Sequence, residues 1–266
     1  MILAAMTLAV RAQDHAHLNA GASGPQLTFD NGSDFAGDYV KTLTFTDSGK
    51  FAQWFEGNIT LTALHSTNAF GEIDPAAPRP GAFIVAEIVS VSGPAGGEFA
   101  FWDSTSTTAP TVSLPVGTTN SSFRFDLSQS SLGGGEPGGD PFGHIHGRRF
   151  TASKPGLYTV GFRAYDTSTN GLNGQPLHTP SALQSINFQA GVNLTALQLE
   201  PSHVMITLGA MSGYSWQLQA NDSMSAPDWK NVGDALLGND ALQEVEDHQA
   251  QAPYRFYRAI GTAVEP

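Results

Sequence analysis

The chain has 266 residues, with 12 Lys and Arg against 24 Asp and Glu, for a formal net charge of −12. With no basic cluster beyond Arg148-Arg149, it has nothing to neutralise a run of phosphates, which excludes nucleic-acid binding as a main function. The lack of cysteine removes disulfides, thiolate metal sites, iron–sulfur clusters, blue-copper centres and thiol catalysis together.

In chain order, residues 1–12 come first. Met1-Ile2-Leu3-Ala4-Ala5-Met6-Thr7-Leu8-Ala9-Val10-Arg11-Ala12 reads as the apolar region and small-residue end of a signal peptide, so export is expected. It is too short to cross a bilayer, and no run of about 18 apolar residues occurs later, so no membrane span is expected. Gln13-Asp14-His15-Ala16-His17-Leu18-Asn19 follows and holds a His-x-His pair. From Leu27 onward apolar and polar residues alternate with period two, predicting strands over 39–45 and 59–64, the latter ending at His65. A longer apolar run over 82–91 suits a strand buried inside a sandwich. Further strands are predicted over 99–102, 111–114 and 122–127.

Gly133-Gly134-Gly135-Glu136-Pro137-Gly138-Gly139-Asp140-Pro141 cannot be regular structure, since Gly and Pro supply neither packing nor a full set of ladder donors. This loop runs straight into a second pair, His144-Ile145-His146. Strands over 156–166 and 185–190 come next, with His178 in the loop between them. The pattern changes near Gly191, which divides a larger domain (13–191) from a smaller one (192–266) with strands over 204–208, 214–219, 229–232 and 254–260. Many short strands, frequent turn signals and no amphipathic helix predict an all-β protein. The larger domain is expected to be an antiparallel β-sandwich of jelly-roll or immunoglobulin type. The smaller is expected to be a β-sandwich like immunoglobulin or fibronectin type III modules.

Random placement of the eight histidines would give about 0.2 His-x-His pairs, so two pairs are a signal. On a strand, residues i and i+2 face the same side, and two neutral imidazoles there can meet one ion. Such a set suits copper or zinc, with copper the tighter binder. The expected ligands are His15, His17, His144 and His146, with His65 and His178 as additions from nearby loops. Asp14 and Asp140 precede the two pairs and are expected to orient ligand rings. Cleavage after Ala12 would leave Gln13-Asp14-His15 at the N terminus, an amine–amide–imidazole chelate suited to Cu(II) or Ni(II). Cleavage after Asp14 would instead expose His15 as an N-terminal histidine.

Other constellations are weaker. Asp30-Asn31-Gly32-Ser33-Asp34 and Asp166-Thr167-Ser168-Thr169-Asn170-Gly171 offer oxygens to Ca²⁺ but equally read as Asx turns. Trp54 and Trp102 suit either a sugar-stacking face or the core. No nucleophile elbow, phosphate loop, zincin helix or dinucleotide fingerprint is present.

The opening His15-Ala16-His17-Leu18-Asn19, together with Phe142-Gly143-His144-Ile145-His146 and Pro155-Gly156-Leu157-Tyr158-Thr159-Val160-Gly161-Phe162-Arg163-Ala164, resembles a repeat of bacterial surface-anchored proteins associated with metal-uptake transporters. That resemblance implies metal handling at the cell surface. The sequence departs from the family in lacking the Trp residues of the opening motif and a C-terminal sorting signal, so secretion is expected rather than anchoring. Residues 194–260 are similar to accessory modules of secreted bacterial proteins, which implies a fold and no activity.

Three functions follow as expectations. The first is capture or delivery of copper or zinc, with a metal transporter or a surface polysaccharide as partner. The second is a metalloenzyme with an open position at the ion. The third is a carbohydrate-binding or adhesive module.

Overall fold

A computed structural model describes residues 16–264, apart from 38, 47, 69, 192–193, 200–201, 211–213, 224–227, 240 and 250–253. The protein is all-β, and its described residues contain no α-helix. None of them forms a helix long and apolar enough to cross a membrane.

Among the described residues, thirteen strands precede residue 191: β1 (His17–Ser23), β2 (Gln26–Phe29), β3 (Val40–Thr46), β4 (Trp54–Gly57), β5 (Thr60–Ala63), β6 (Ile84–Ser92), β7 (Glu98–Trp102), β8 (Val112–Pro115), β9 (Phe123–Asp126), β10 (Gly143–His144), β11 (Arg149–Ala152), β12 (Gly156–Asp166) and β13 (Gln184–Ala190). A four-stranded sheet runs in the order β10-β5-β1-β2, and a nine-stranded sheet in the order β8-β7-β11-β4-β3-β13-β12-β6-β9. The expected antiparallel pattern holds except at β1/β5 and β13/β3, which pair parallel. These partners lie far apart in the chain, so no tight turn imposes an antiparallel sense on them.

The two sheets bury a common core. The small sheet contributes Leu18, Ala20, Leu27, Leu61 and Ala63, and the large sheet contributes Leu43, Ile84, Phe99, Phe101, Phe150, Phe162 and Phe188. Phe150, 1% exposed, sits among Phe99, Phe101, Phe162 and Phe188 with ring centroids 5.6–5.7 Å away. Offset and edge contacts of this kind add to the stabilisation from burial itself. Trp102 alternates with Phe101 and so lies on the opposite face of β7 from this core. It is buried there all the same: it is 1% exposed, donates its Nε1–H to Thr151 Oγ1 at 2.9 Å and packs edge-on against Phe51 and Trp54. Of the two readings of Trp102, the buried, packed one is realised.

The C-terminal strands are β14 (Leu194–Leu199), β15 (Val204–Ala210), β16 (Tyr214–Asn221), β17 (Lys230–Asn231), β18 (Leu236–Leu237), β19 (Ala241–Asp247) and β20 (Phe256–Ala263). They form a β14-β15-β19 sheet and a second sheet centred on β16. Val204, Ile206, Leu218, Ala220, Val232 and Val245 pack between them.

Replacing Phe150 by Ala removes a ring packed against five others, and should destabilise the protein by about 3–5 kcal/mol. Urea denaturation checks this; a loss below about 1 kcal/mol would mean that the sandwich does not depend on this ring.

Candidate metal centre

The outer face of the small sheet carries the site. In β1, Leu18 and Ala20 point into the core, so alternation turns His17 and Asn19 outward. β5 lies beside β1 with His17 opposite Thr60 and Asn19 opposite Thr62. β10 lies on the far side of β5 with His144 opposite Thr62. Paired residues share a face, so His17, Asn19, Thr60, Thr62 and His144 line one polar surface. The Thr62 hydroxyl donates to Asn19 Oδ1 at 2.6 Å.

Two segments far apart in sequence thereby bring three imidazoles together. The rings of His17 and His144 have centroids 4.6 Å apart at 66°, and those of His144 and His146 are 4.3 Å apart at 39°. His17 and His144 are half-buried and His146 is exposed. Imidazoles bound through nitrogen at about 2.0–2.1 Å place their centroids roughly 4.5–5 Å apart, close to this spacing. Among the described residues no three ligating side chains already surround a single point. Seating an ion therefore requires ring rotations, which staggered side-chain wells permit at small cost.

Each ligand segment is fastened. Asn31 continues the ladder beside the His17–Asn19 stretch of β1, where β2 no longer pairs: its Nδ2 donates to the His17 carbonyl at 2.7 Å and its Oδ1 accepts the Asn19 N–H at 2.9 Å. The Asp30–Asp34 string thus contributes an Asx contact that holds a backbone. The segment carrying His144 and His146 is held on both flanks. Upstream, Asp140 accepts hydrogen bonds from the Ser66 N–H and hydroxyl and from the Phe142 N–H. Downstream, Arg148 donates to the Asp126 carbonyl, lies near Asp103 and places its guanidinium over Phe125. Burial lowers the Arg148 pKa, with Asp103 opposing it. At Gly143 a Cβ would collide with the Leu127 carbonyl, so the backbone approach that docks β10 requires glycine.

The Gly-rich loop is equally tied down. Gly81 N–H donates to the Gly139 carbonyl, Gly135 N–H donates to the Ala82 carbonyl, and Asn170 Nδ2 donates to the carbonyls of Gly81 and Gly135. It works as a buttress behind the histidine segment.

The remaining expected residues are placed differently. His15 and the proposed N-terminal chelate lie outside the described residues. His65 pairs through Nδ1 with Asp140 Oδ2 at 3.2 Å and rests against Phe142 at 5.1 Å, beside the cluster and engaged with another partner. Asp140 was expected to orient a ligand ring of the His144 pair; the structure gives it His65 and Ser66 instead. Burial raises its pKa, but the Ser66 hydroxyl, the Phe142 and Ser66 amides and His65 outweigh this and hold it below its ordinary value.

His178 is 4% exposed, and its Nε2 accepts the Arg79 N–H at 2.8 Å, which occupies the lone pair a metal would use. The His178 backbone N–H donates to Asp166 Oδ2, a carboxylate that also takes the backbone N–H groups of Phe83, Ser168 and Leu177. Asp166 and His178 thus organise loops. Asn19, Asn31 and Thr62 were not foreseen, because sequence alternation does not say which strands become neighbours.

No known protein family matches this chain, and a search of curated proteins finds no significant match. Function therefore has to be read from the site.

Burial pushes the His178 pKa below its ordinary 6.5, with Asp166 opposing and Arg79 adding to the shift. The neutral ring therefore contributes stability that is present above pH 6.5 and is lost as the pH falls below it, where the unfolded chain takes up a proton that the folded chain resists. Urea midpoints should fall more between pH 7 and pH 5 in the wild type than in His178→Gln, whose amide oxygen can accept the same N–H. Equal slopes would refute this.

Proposed function

We propose that this protein binds a borderline divalent transition-metal ion, copper ahead of zinc, through His17, His144 and His146, for capture or delivery at the cell surface. The convergence of three imidazoles from two His-x-His segments on one polar sheet face is the observation that carries this reading. Neutral imidazoles without thiolate or carboxylate suit copper and zinc, and exclude the oxygen-rich shells that magnesium and calcium need. His15, two residues before His17 in the sequence, is the natural further donor. The setting at the cell surface rests on the apolar residues 1–12 and on the resemblance to surface proteins associated with metal uptake; a metal transporter would be the partner.

Within this reading His17, His144 and His146 would hold the ion, His146 being the exposed one of the three. Asn31, Asp140 and Arg148 position the two backbones. The exposure of His146 favours a second reading, in which the same three histidines would leave room for solvent and a bound ion would supply Lewis-acid or redox activation of a small molecule. The sugar-binding reading loses its platform, since Trp102 is buried.

The test loads the full-length protein with a copper and zinc mixture, dialyses it and counts metal by plasma mass spectrometry. About one or two equivalents should be retained by the wild type, and the tightly held metal should be lost in the H144Q/H146Q variant. Unchanged stoichiometry would overturn the assignment.

A further inference from the structure

A second pair of histidines meets in the C-terminal strands without any His-x-His spacing. β15 and β19 pair antiparallel with Val204 opposite Asp247, so one step further His203 comes to stand across from His248. Their rings are 5.4 Å apart at 49°. Glu246, two residues before His248 and so on the same face, sets its Oε2 3.0 Å from His248 Nε2. The His248 and Glu246 side chains are 67% and 48% exposed, so an ion can reach them without opening the fold. His203 is half-buried beside the Ser202 hydroxyl, 3.3 Å from its Nδ1.

Two of the three spacings are close to those around a cation, although among the described residues no three ligating side chains already surround a single point. Donors held at about 2.0–2.1 Å from one ion stand roughly 3 Å from each other, and imidazoles bound through nitrogen have centroids roughly 5 Å apart. Seating an ion requires rotation of the exposed His248 and Glu246 and of the half-buried His203 between staggered wells.

The strand end is also unusually firm. Ladder ends ordinarily fray, but Asp247, 2% exposed, accepts from Arg255 Nε at 2.5 Å and Nη2 at 3.2 Å, from the Tyr257 hydroxyl at 3.0 Å and from the Gln249 N–H at 2.9 Å. Arg255 reaches on to Asp222 at 2.7 Å. This clamp fixes the residue next to His248, which lowers the entropy cost of gathering the donors.

We propose that His203, His248 and Glu246 form a second, weaker site for a borderline divalent ion of the zinc, nickel or copper(II) class. Two imidazoles and one carboxylate are a donor set that such ions accept, with the remaining positions left to water. The proposal stands on a different sheet from the three-histidine cluster and does not depend on it.

Isothermal titration of the full-length H144Q/H146Q protein with Zn(II) tests this directly. About one equivalent should bind, at least tenfold more weakly once H203Q/H248Q are added, with E246Q giving a smaller loss. Circular dichroism checks that the exposed substitutions leave the fold intact. Absence of zinc binding in H144Q/H146Q, or binding indifferent to H203Q/H248Q, would overturn the second site. Identical titrations of wild type and H144Q/H146Q would instead count against the first site, leaving the response to H203Q/H248Q to decide the second.

Discussion

The histidine cluster depends on the register of three short strands. Side chains in a strand alternate strictly, so a slip of one residue in β1 or β5 would turn Leu18, Ala20, Leu61 and Ala63 out to water and drive His17 and Asn19 into the phenylalanine core. Burial of those four aliphatic groups therefore selects the arrangement that presents imidazole outward. β10 is too short to fix its own register this way. It relies on the close approach at Gly143 and on the contacts of Asp140 and Arg148 to either side. Packing sets one half of the site and polar anchoring sets the other.

That division explains why the loops around the site are so heavily hydrogen-bonded. A glycine-rich stretch offers little apolar surface to hold it in place and has much backbone freedom to lose. The structure answers with side-chain amides and carboxylates that bind loop backbone: Asn170 across Gly81 and Gly135, Asp166 across four N–H groups, Asn31 along the edge of β1. Each replaces a ladder partner that an irregular segment cannot find for itself. Asp166 and His178 do for the loops behind the site what the ladder does for the strands.

The sequence made the local part of this legible. β12 begins and ends where the alternation from Gly156 to Asp166 predicts, and the His-x-His spacing singled out two segments that the fold does bring together. Pairing between distant strands was not legible. Nothing in Thr60 or Thr62 announces that β5 lies between the two histidine segments, and the parallel sense of β1 against β5 leaves no turn signature. His178 and His65 were drawn into the expected ligand set because a loop histidine looks the same in sequence whether its lone pair faces solvent or a buried backbone amide. His203 and His248 were passed over for the converse reason, since contacts across a ladder leave no periodic trace.

One consequence concerns the order of events during folding. His17 and His144 are far apart in the chain, so under the proposed reading each His-x-His segment of a denatured molecule would meet an ion as an isolated bidentate peptide. Only closure of the long loop between β1 and β10 would create the proposed higher-denticity shell. An ion that prefers the closed form adds to native stability by mass action, as the logarithm of its free concentration over its Kd. Scarce metal would then leave the small sheet the more weakly held of the two layers, and plentiful metal would act as a reversible cross-link in a chain that has no disulfide.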